Sequence, residues 1–372
     1  MPSAHAAATT ASPTRPNARS SAWLAARNLL VVRLDNLGDV LMSTPAIQAI
    51  RQTSPQARIT LLGSRSGVAL ARHVPAIDDV IAYDAPWLKT PSRGDLTDRR
   101  MLTALRRGNF DAALIFTACH QSPVPAALMC RLAGIPLRLG HCRDNPHELL
   151  TDWVPEPEDC PDGLRHEVAR QLDMVRSVGF HAANERLVFR YAATDVLNMR
   201  RKFVAAGGDM NRPYIVVHPG ASAESARYPA ERFGVAADGI SLDSGCQVVY
   251  TGGHDEVAVV ARARSAMQAP SISLAGQLTL GELAALIAGA QVAVCNSSGP
   301  AHMAAALETP VVVLYALGGP QHAPWRARAH VLSHDALRSD EVIEAALDLI
   351  EAPPPVWAPP LPASASSLVA LR

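Results

Sequence analysis

Short apolar runs that read as nearly unbroken, each followed by a segment of helical period, constrain this chain more than any other feature. A strand exposed on one face alternates apolar with polar residues, whereas a strand covered on both faces is apolar throughout, and helices laid over a parallel sheet provide that cover. Residues 28–34, 57–63, 80–84, 111–116 and 136–140 have the strand character, and 39–53, 95–108, 122–133 and 164–179 have helical spacing. The same grammar restarts after residue 190: a helical "ATDVLNMRRKFVAAGG" leads to further strand-like runs at 214–220, 246–253, 271–276, 291–296 and 310–316. The reading is α/β, two doubly wound units in succession. With 372 residues, each unit can bury its own core. Residues 1–25 read as a disordered Ala/Ser/Thr/Pro tail, 26–190 as the first unit, 191–352 as the second, and 353–372 as a Pro/Ala-rich tail.

Charge excludes one class of partner. Lys plus Arg (34) equals Asp plus Glu (34), so no basic excess grips nucleic acid. No apolar run approaches the ~18–20 residues of a membrane span, and residues 1–25 lack a secretory apolar segment. The expected location is the cytoplasm. Six cysteines without a C-x-x-C pair read as reduced thiols. Cys119, His120, His141, Cys142, His147, Cys160 and His166 fall close together, but their spacing fits no zinc pattern. No metal site is expected.

Open α/β sheets bind ligands beyond the carboxyl ends of their strands. There this sequence places "RLDNLGD" in the first half, and "HPGASAESARYP", "TGGHDE", "LAGQLTLGEL" and "CNSSGPAHMAAAL" in the second. Small residues opening a helix expose backbone N–H groups and a partial positive charge, which suits a diphosphate. Ser222, Ser298 and His302 add side-chain donors, and together these turns point to a nucleotide diphosphate. Asp39 and Asp35, by contrast, bring carboxylates to the end of a buried strand. A carboxylate facing a cleft can take a proton from an attacking hydroxyl; it can equally cap the helix that follows.

These motifs, in this order from about residue 28 to 316, resemble glycosyltransferase family 9, the ADP-heptose:lipopolysaccharide heptosyltransferases. The resemblance implies a GT-B architecture, two Rossmann-like domains facing across a cleft, the first receiving the acceptor and the second the sugar nucleotide. It implies inverting, metal-independent transfer of heptose from an ADP-activated donor, with no cofactor, to a lipopolysaccharide core or other surface glycan. Contact with the inner face of the cytoplasmic membrane would then be made through the acceptor. Asp39 matches the family's general base, with Arg33, Asp35 and Gly38 on the acceptor or phosphate loop and Gly38 letting the backbone approach sugar or phosphate. On the donor side the matches are His218, Gly220, Ser222 and Arg227, then Gly252 and Glu256, the latter for the ribose. Ser297, Ser298, Gly299 and His302 complete that side.

Two positions depart from the family's pattern: Ser297 replaces an Asp, and Ala226 replaces a Lys whose charge Arg227 could supply. They keep open a catalytically weak nucleotide-sugar-binding protein. An epimerase-like GT-B enzyme is the other alternative; it would need further acid/base carboxylates in the second half, where Glu256 and Glu282 are the candidates.

Overall fold

A computed structural model of the chain describes residues 18–88, 95–156, 165–221, 227–315, 320–333 and 337–351. The first sheet comprises β1 (Asn28–Arg33), β2 (Arg58–Gly63), β3 (Asp79–Ala82), β4 (Ala112–Ile115), β5 (Leu137–Cys142) and β6 (Asp152–Pro155), in the order β3-β2-β1-β4-β5-β6. The second comprises β7 (Tyr214–His218), β8 (Gln247–Tyr250), β9 (Ser271–Ser273), β10 (Ala293–Asn296), β11 (Val311–Tyr315) and β12 (Ala329–Ser333), in the order β12-β11-β10-β7-β8-β9. Every pairing is parallel. Counted from its own first strand, each sheet has the dinucleotide-fold order 3-2-1-4-5-6. The α/β expectation of two doubly wound units is met.

The helices are α1 (Ala18–Ala25), α2 (Leu37–Thr53), α3 (Arg65–Val68), α4 (Asp95–Gly108), α5 (Val124–Leu132) and α6 (Glu167–Arg176) in the first half. In the second they are α7 (Ala193–Ala205), α8 (Ala230–Ser244), α9 (Val257–Ser265), α10 (Leu280–Ala288), α11 (Gly299–Ala306) and α12 (Ser339–Glu351). Among the described residues, no helix is long and apolar enough to cross a membrane.

Two strands escape the sequence reading, β6 and β12. Both lie at a sheet edge and both alternate between half-buried and exposed positions, so neither shows the unbroken apolar run that marks a strand covered on both faces. The disordered tail expected over 1–25 also needs correction where it can be seen. Residues 18–25 form α1, whose Trp23 is wholly buried and donates its indole N–H to Asp152 Oδ2 at 3.0 Å. One aromatic side chain is enough to fasten the segment to β6, and a polar-rich composition conceals it. Residues 1–17 and the tail 353–372 lie outside the described residues.

The two sheets meet through helices. α2 packs against α6 on its own side and against α11 on the other, and one apolar cluster runs continuously from Leu29, Leu41 and Ile47 to Met303, Ala304 and Val311. α2 is buried nearly throughout and carries Pro45 inside it. A proline cannot donate to the carbonyl four residues back; here Thr44 Oγ1 donates to that Leu41 carbonyl at 2.7 Å instead, and accepts from Val188 N at 2.9 Å.

Candidate functional site

In a sheet of this order the crevice opens where the chain turns from one direction of strand addition to the other, between the first and fourth strands. Both sheets bridge that point with a side-chain amide. In the first, Gln121, beyond β4, donates Nε2–H to Asp35 Oδ1 at 2.6 Å, beyond β1. In the second, Asn296 ends β10, wholly buried; its Nδ2 donates to the Pro219 carbonyl at 2.8 Å, and its Oδ1 accepts from Tyr228 N at 3.0 Å. Neither amide drew notice in the sequence, because a lone Asn or Gln in a turn has no distinguishing pattern; facing strand ends in a parallel sheet was the available signal.

Asp39 occupies the third position of α2, with Asn36 as the residue before the helix. Its Oδ2 accepts from Asn36 N at 3.1 Å and its Oδ1 from Arg33 Nη2 at 3.2 Å. The carboxylate closes a capping box, so the helix-terminus role and exposure to the cleft coexist; its side chain keeps 21% of its surface open. Arg33, expected on the acceptor or phosphate loop, is instead enclosed, with no exposed surface, beneath that loop. Asp35 lies 3.0 Å from Arg33 Nε and is nearly closed off as well.

Gly38 stands at the contact between the two halves. A Cβ there would lie 3.0 Å from His302 Cδ2 and 3.5 Å from the Gly299 Cα, so the missing side chain lets α2 meet the start of α11. Asp39 and His302 thereby face one another from the two halves. Burial pushes the His302 imidazole down to about 4, only partly opposed by the Asp39 charge, and its Nδ1 is buried without a hydrogen-bond partner. Burial therefore keeps the ring neutral at physiological pH.

Around β7 and β8 the second half assembles the rest. Glu256 Oε2 accepts from Gly253 N at 2.8 Å and lies 3.4 Å from His218 Nε2, while His218 Nδ1 is 3.0 Å from Thr251 Oγ1. The His218 hydrogen bond, then its charge, the Gly253 amide and Arg227 bring Glu256 down to about 2 against the opposing effect of burial. Gly220 leaves room for this carboxylate: a Cβ there would be 2.0 Å from Glu256 Oε1, and the carboxylate would have to move. Gly252 likewise stands against the Glu256 Cβ. Arg227 points its guanidinium at the Ala221 carbonyl, 2.7 Å from Nη2. Ser298 Oγ donates to Asn296 O at 3.1 Å just ahead of α11, and Ser297 N pairs with Leu314 O. Ser222 and Ala226 lie outside the described residues. Glu282, the other acid/base candidate, is used up elsewhere: it closes the capping box of α10 with Thr279 and pairs with Lys202 at 2.6 Å.

Two histidines of the Cys/His group have structural partners. His141 Nε2 is 2.9 Å from the Arg170 carbonyl, and His166 Nε2 is 2.9 Å from the Ala323 carbonyl while its Nδ1 accepts from Val168 N. Cys160 lies outside the described residues. Among the described residues no three His, Cys, Asp or Glu side chains gather as a metal would require. His120 and Cys142 line a cleft of about 170 Å³ beyond β4 and β5, together with Gln121, Arg143, Asn145 and Glu156.

Comparison with known proteins agrees with this geometry. Residues 99–345 match the family described as glycosyltransferase family 9 (heptosyltransferase). The chain is 27% identical over 293 residues to lipopolysaccharide heptosyltransferase 3 of Escherichia coli, covering 78% of this chain and 83% of that protein. Its fold is shared with a family 9 glycosyl transferase from Veillonella parvula (TM-score 0.74, 21% identity, 87% of this chain and 97% of that one). It is shared also with the E. coli ADP-heptose lps heptosyltransferase II (TM-score 0.70, 22% identity, 87% and 98%). Two parallel sheets of one topology, meeting where a carboxylate-bearing turn faces a glycine-led helix, are thus the GT-B frame of a glycosyltransferase, and the chain belongs to glycosyltransferase family 9, the heptosyltransferases.

Proposed function

We propose that the enzyme transfers heptose, with inversion, from an ADP-activated donor to a lipopolysaccharide core or related surface glycan, with Asp39 as the general base. The observation that carries this reading is the meeting of Gly38–Asp39 with Gly299–His302 across the two halves. The acceptor hydroxyl gives its proton to Asp39 as its oxygen attacks the anomeric carbon; the carbon–oxygen bond to the diphosphate breaks on the opposite face, and ADP leaves. Glu256, ionised throughout the physiological range, accepts from the ribose hydroxyls, while His302, Ser298 and the first amides of α11 receive the diphosphate and sugar. Arg227 supplies the positive charge that Ala226 does not. The cleft beside Gln121 has room for about one sugar ring and offers amide, imidazole, guanidinium and carboxylate groups, a set that suits hydroxyl-rich acceptors. Reaction takes place in the cytoplasm, at the inner face of the membrane that carries the acceptor. An epimerase would need a second carboxylate at the donor site, and Glu282 is committed to α10.

Thermal shift with a panel of nucleotides tests the donor half. ADP or ADP-heptose at 100 times its Kd is expected to add ~2.7 kcal/mol of apparent stability, and UDP sugars less, with the same transfer rate in EDTA as in Mg²⁺. A larger shift with UDP-N-acetylglucosamine and none with ADP would remove the donor assignment; transfer that fails in EDTA and returns with Mg²⁺ would remove the metal-free mechanism.

A further inference from the structure

The deepest charged group at the first switch point is not the base but Arg33, the last residue of β1. It has no exposed surface, and three carboxylates surround it: Asp39 at 3.2 Å from Nη2, Asp35 at 3.0 Å from Nε, and Glu167 behind them. Burial alone would discourage its charge, yet those three carboxylates raise its pKa, so it is a permanent cation. Its Nε and Nη1 have no aligned hydrogen-bond acceptor, nor has Asp35 Oδ2 a donor.

The arrangement has a direction. Asp39 is held at both oxygens, by the Asn36 amide and by Arg33, which fixes the plane of the carboxylate. Asp35 spans the gap from Arg33 to Gln121, whose Oε1 in turn accepts from Ala118 N at 3.0 Å, so that its amide cannot rotate freely. Gln121 lines the cleft beyond β4. A continuous path of four side chains therefore runs from that cleft to Asp39, entirely within the first half.

We propose that Arg33 is a positioning residue that orients the Asp39 carboxylate for proton abstraction, and that Asp35 and Gln121 tie this orientation to occupancy of the acceptor cleft. The proposal rests on the reading of Asp39 as the base. Arg33 touches neither substrate; it acts through Asp39.

The test is a double-mutant cycle on the full chain, with transfer followed by mass detection of ADP release and donor affinity by calorimetry with ADP. Arg33→Met is expected to lower kcat by ~10–100-fold with ADP affinity unchanged, and Arg33→Lys to recover part of the loss. In an Asp39→Asn background, Arg33→Met should add less than about a twofold further loss, since the residue it orients no longer accepts a proton. Losses that multiply across the cycle, or a normal kcat in Arg33→Met, overturn the proposal. Near-normal transfer by Asp39→Asn alone would instead overturn the base reading, a separate outcome. Should Arg33→Met not fold, Gln121→Leu takes its place on the cleft side. At saturating acceptor, where a lost acceptor contact shows in KM, it is expected to lower kcat by ~3–10-fold in the wild-type background and to add less than about a twofold further loss of kcat in the Asp39→Asn background, and a normal kcat, or losses of kcat that multiply, overturns the proposal.

Discussion

At the scale of single residues, Asp39 carries two duties at one carboxylate, and substitution separates them. Asp39→Asn keeps an oxygen for the Asn36 amide, so the start of α2 survives while proton acceptance is lost; transfer should fall by ~10²–10⁴-fold with ADP affinity unchanged. Asp39→Ala loses the capping box as well and should also cost ~1 kcal/mol in a denaturant titration. If the Asn variant transfers at a near-normal rate, Asp39 is only a helix-terminus residue. His302 makes a pH prediction. Its imidazole titrates near 6.5 when exposed and near 4 in the fold, so between those values the unfolded chain binds a proton that the folded one does not. The stability it contributes is complete above pH 6.5 and is lost as the pH falls toward 4. His302→Gln should therefore lose less stability than the wild type over that window, and parallel curves for the two proteins would contradict the burial of a neutral ring.

Helices α1 and α2 show how an element can depend on one side chain that no periodicity reveals. In α2 the interior Pro45 leaves the Leu41 carbonyl without its helical donor, and the Thr44 hydroxyl serves both that carbonyl and the Val188 N–H. Thr44→Val keeps the shape and strands both groups, at ~1–3 kcal/mol each. Thr44→Ser keeps the hydroxyl and should lose only ~1 kcal/mol, the worth of a buried methyl group. Urea titration of the pair checks this; equal losses would mean that the methyl, not the hydroxyl, matters. α1 is held by Trp23 in the same way, and its position against β6 explains why a segment of Ala and Ser folds at all.

On the scale of the whole molecule, the two halves are joined by more than the chain between them. The His166 ring, at the start of α6, lies tilted by 42° against Trp325 at 4.5 Å, and the Trp325 indole N–H donates to the Glu185 carbonyl at 2.7 Å; Arg326 pairs with the Glu185 carboxylate, and Arg186 pairs with Glu308 at 2.7 Å. These contacts and the α2–α11 packing set the spacing between Asp39 and His302. Trp325→Ala removes the ring contact and the indole hydrogen bond. It should lower stability by roughly 1–3 kcal/mol and widen the molecule in small-angle scattering, with a transfer rate that falls further than ADP affinity does. An unchanged scattering profile would place the whole burden of the interface on α2 and α11.

The sequence by itself determined the repeated α/β grammar, because parallel strands covered on both faces leave apolar runs that are legible without coordinates. It also pointed to the turns after those strands as the place for a site, since open parallel sheets bind ligands beyond the carboxyl ends of their strands. It did not show β6 and β12, which are half-covered edges, or α1, whose anchoring depends on one tryptophan meeting Asp152 across 129 positions of chain. Nor could spacing show how deeply Arg33 lies or which residues Gly38 meets. Only tertiary packing decided that the first is enclosed by three carboxylates and the second abuts His302, because burial and cross-domain approach depend on residues far away in the chain.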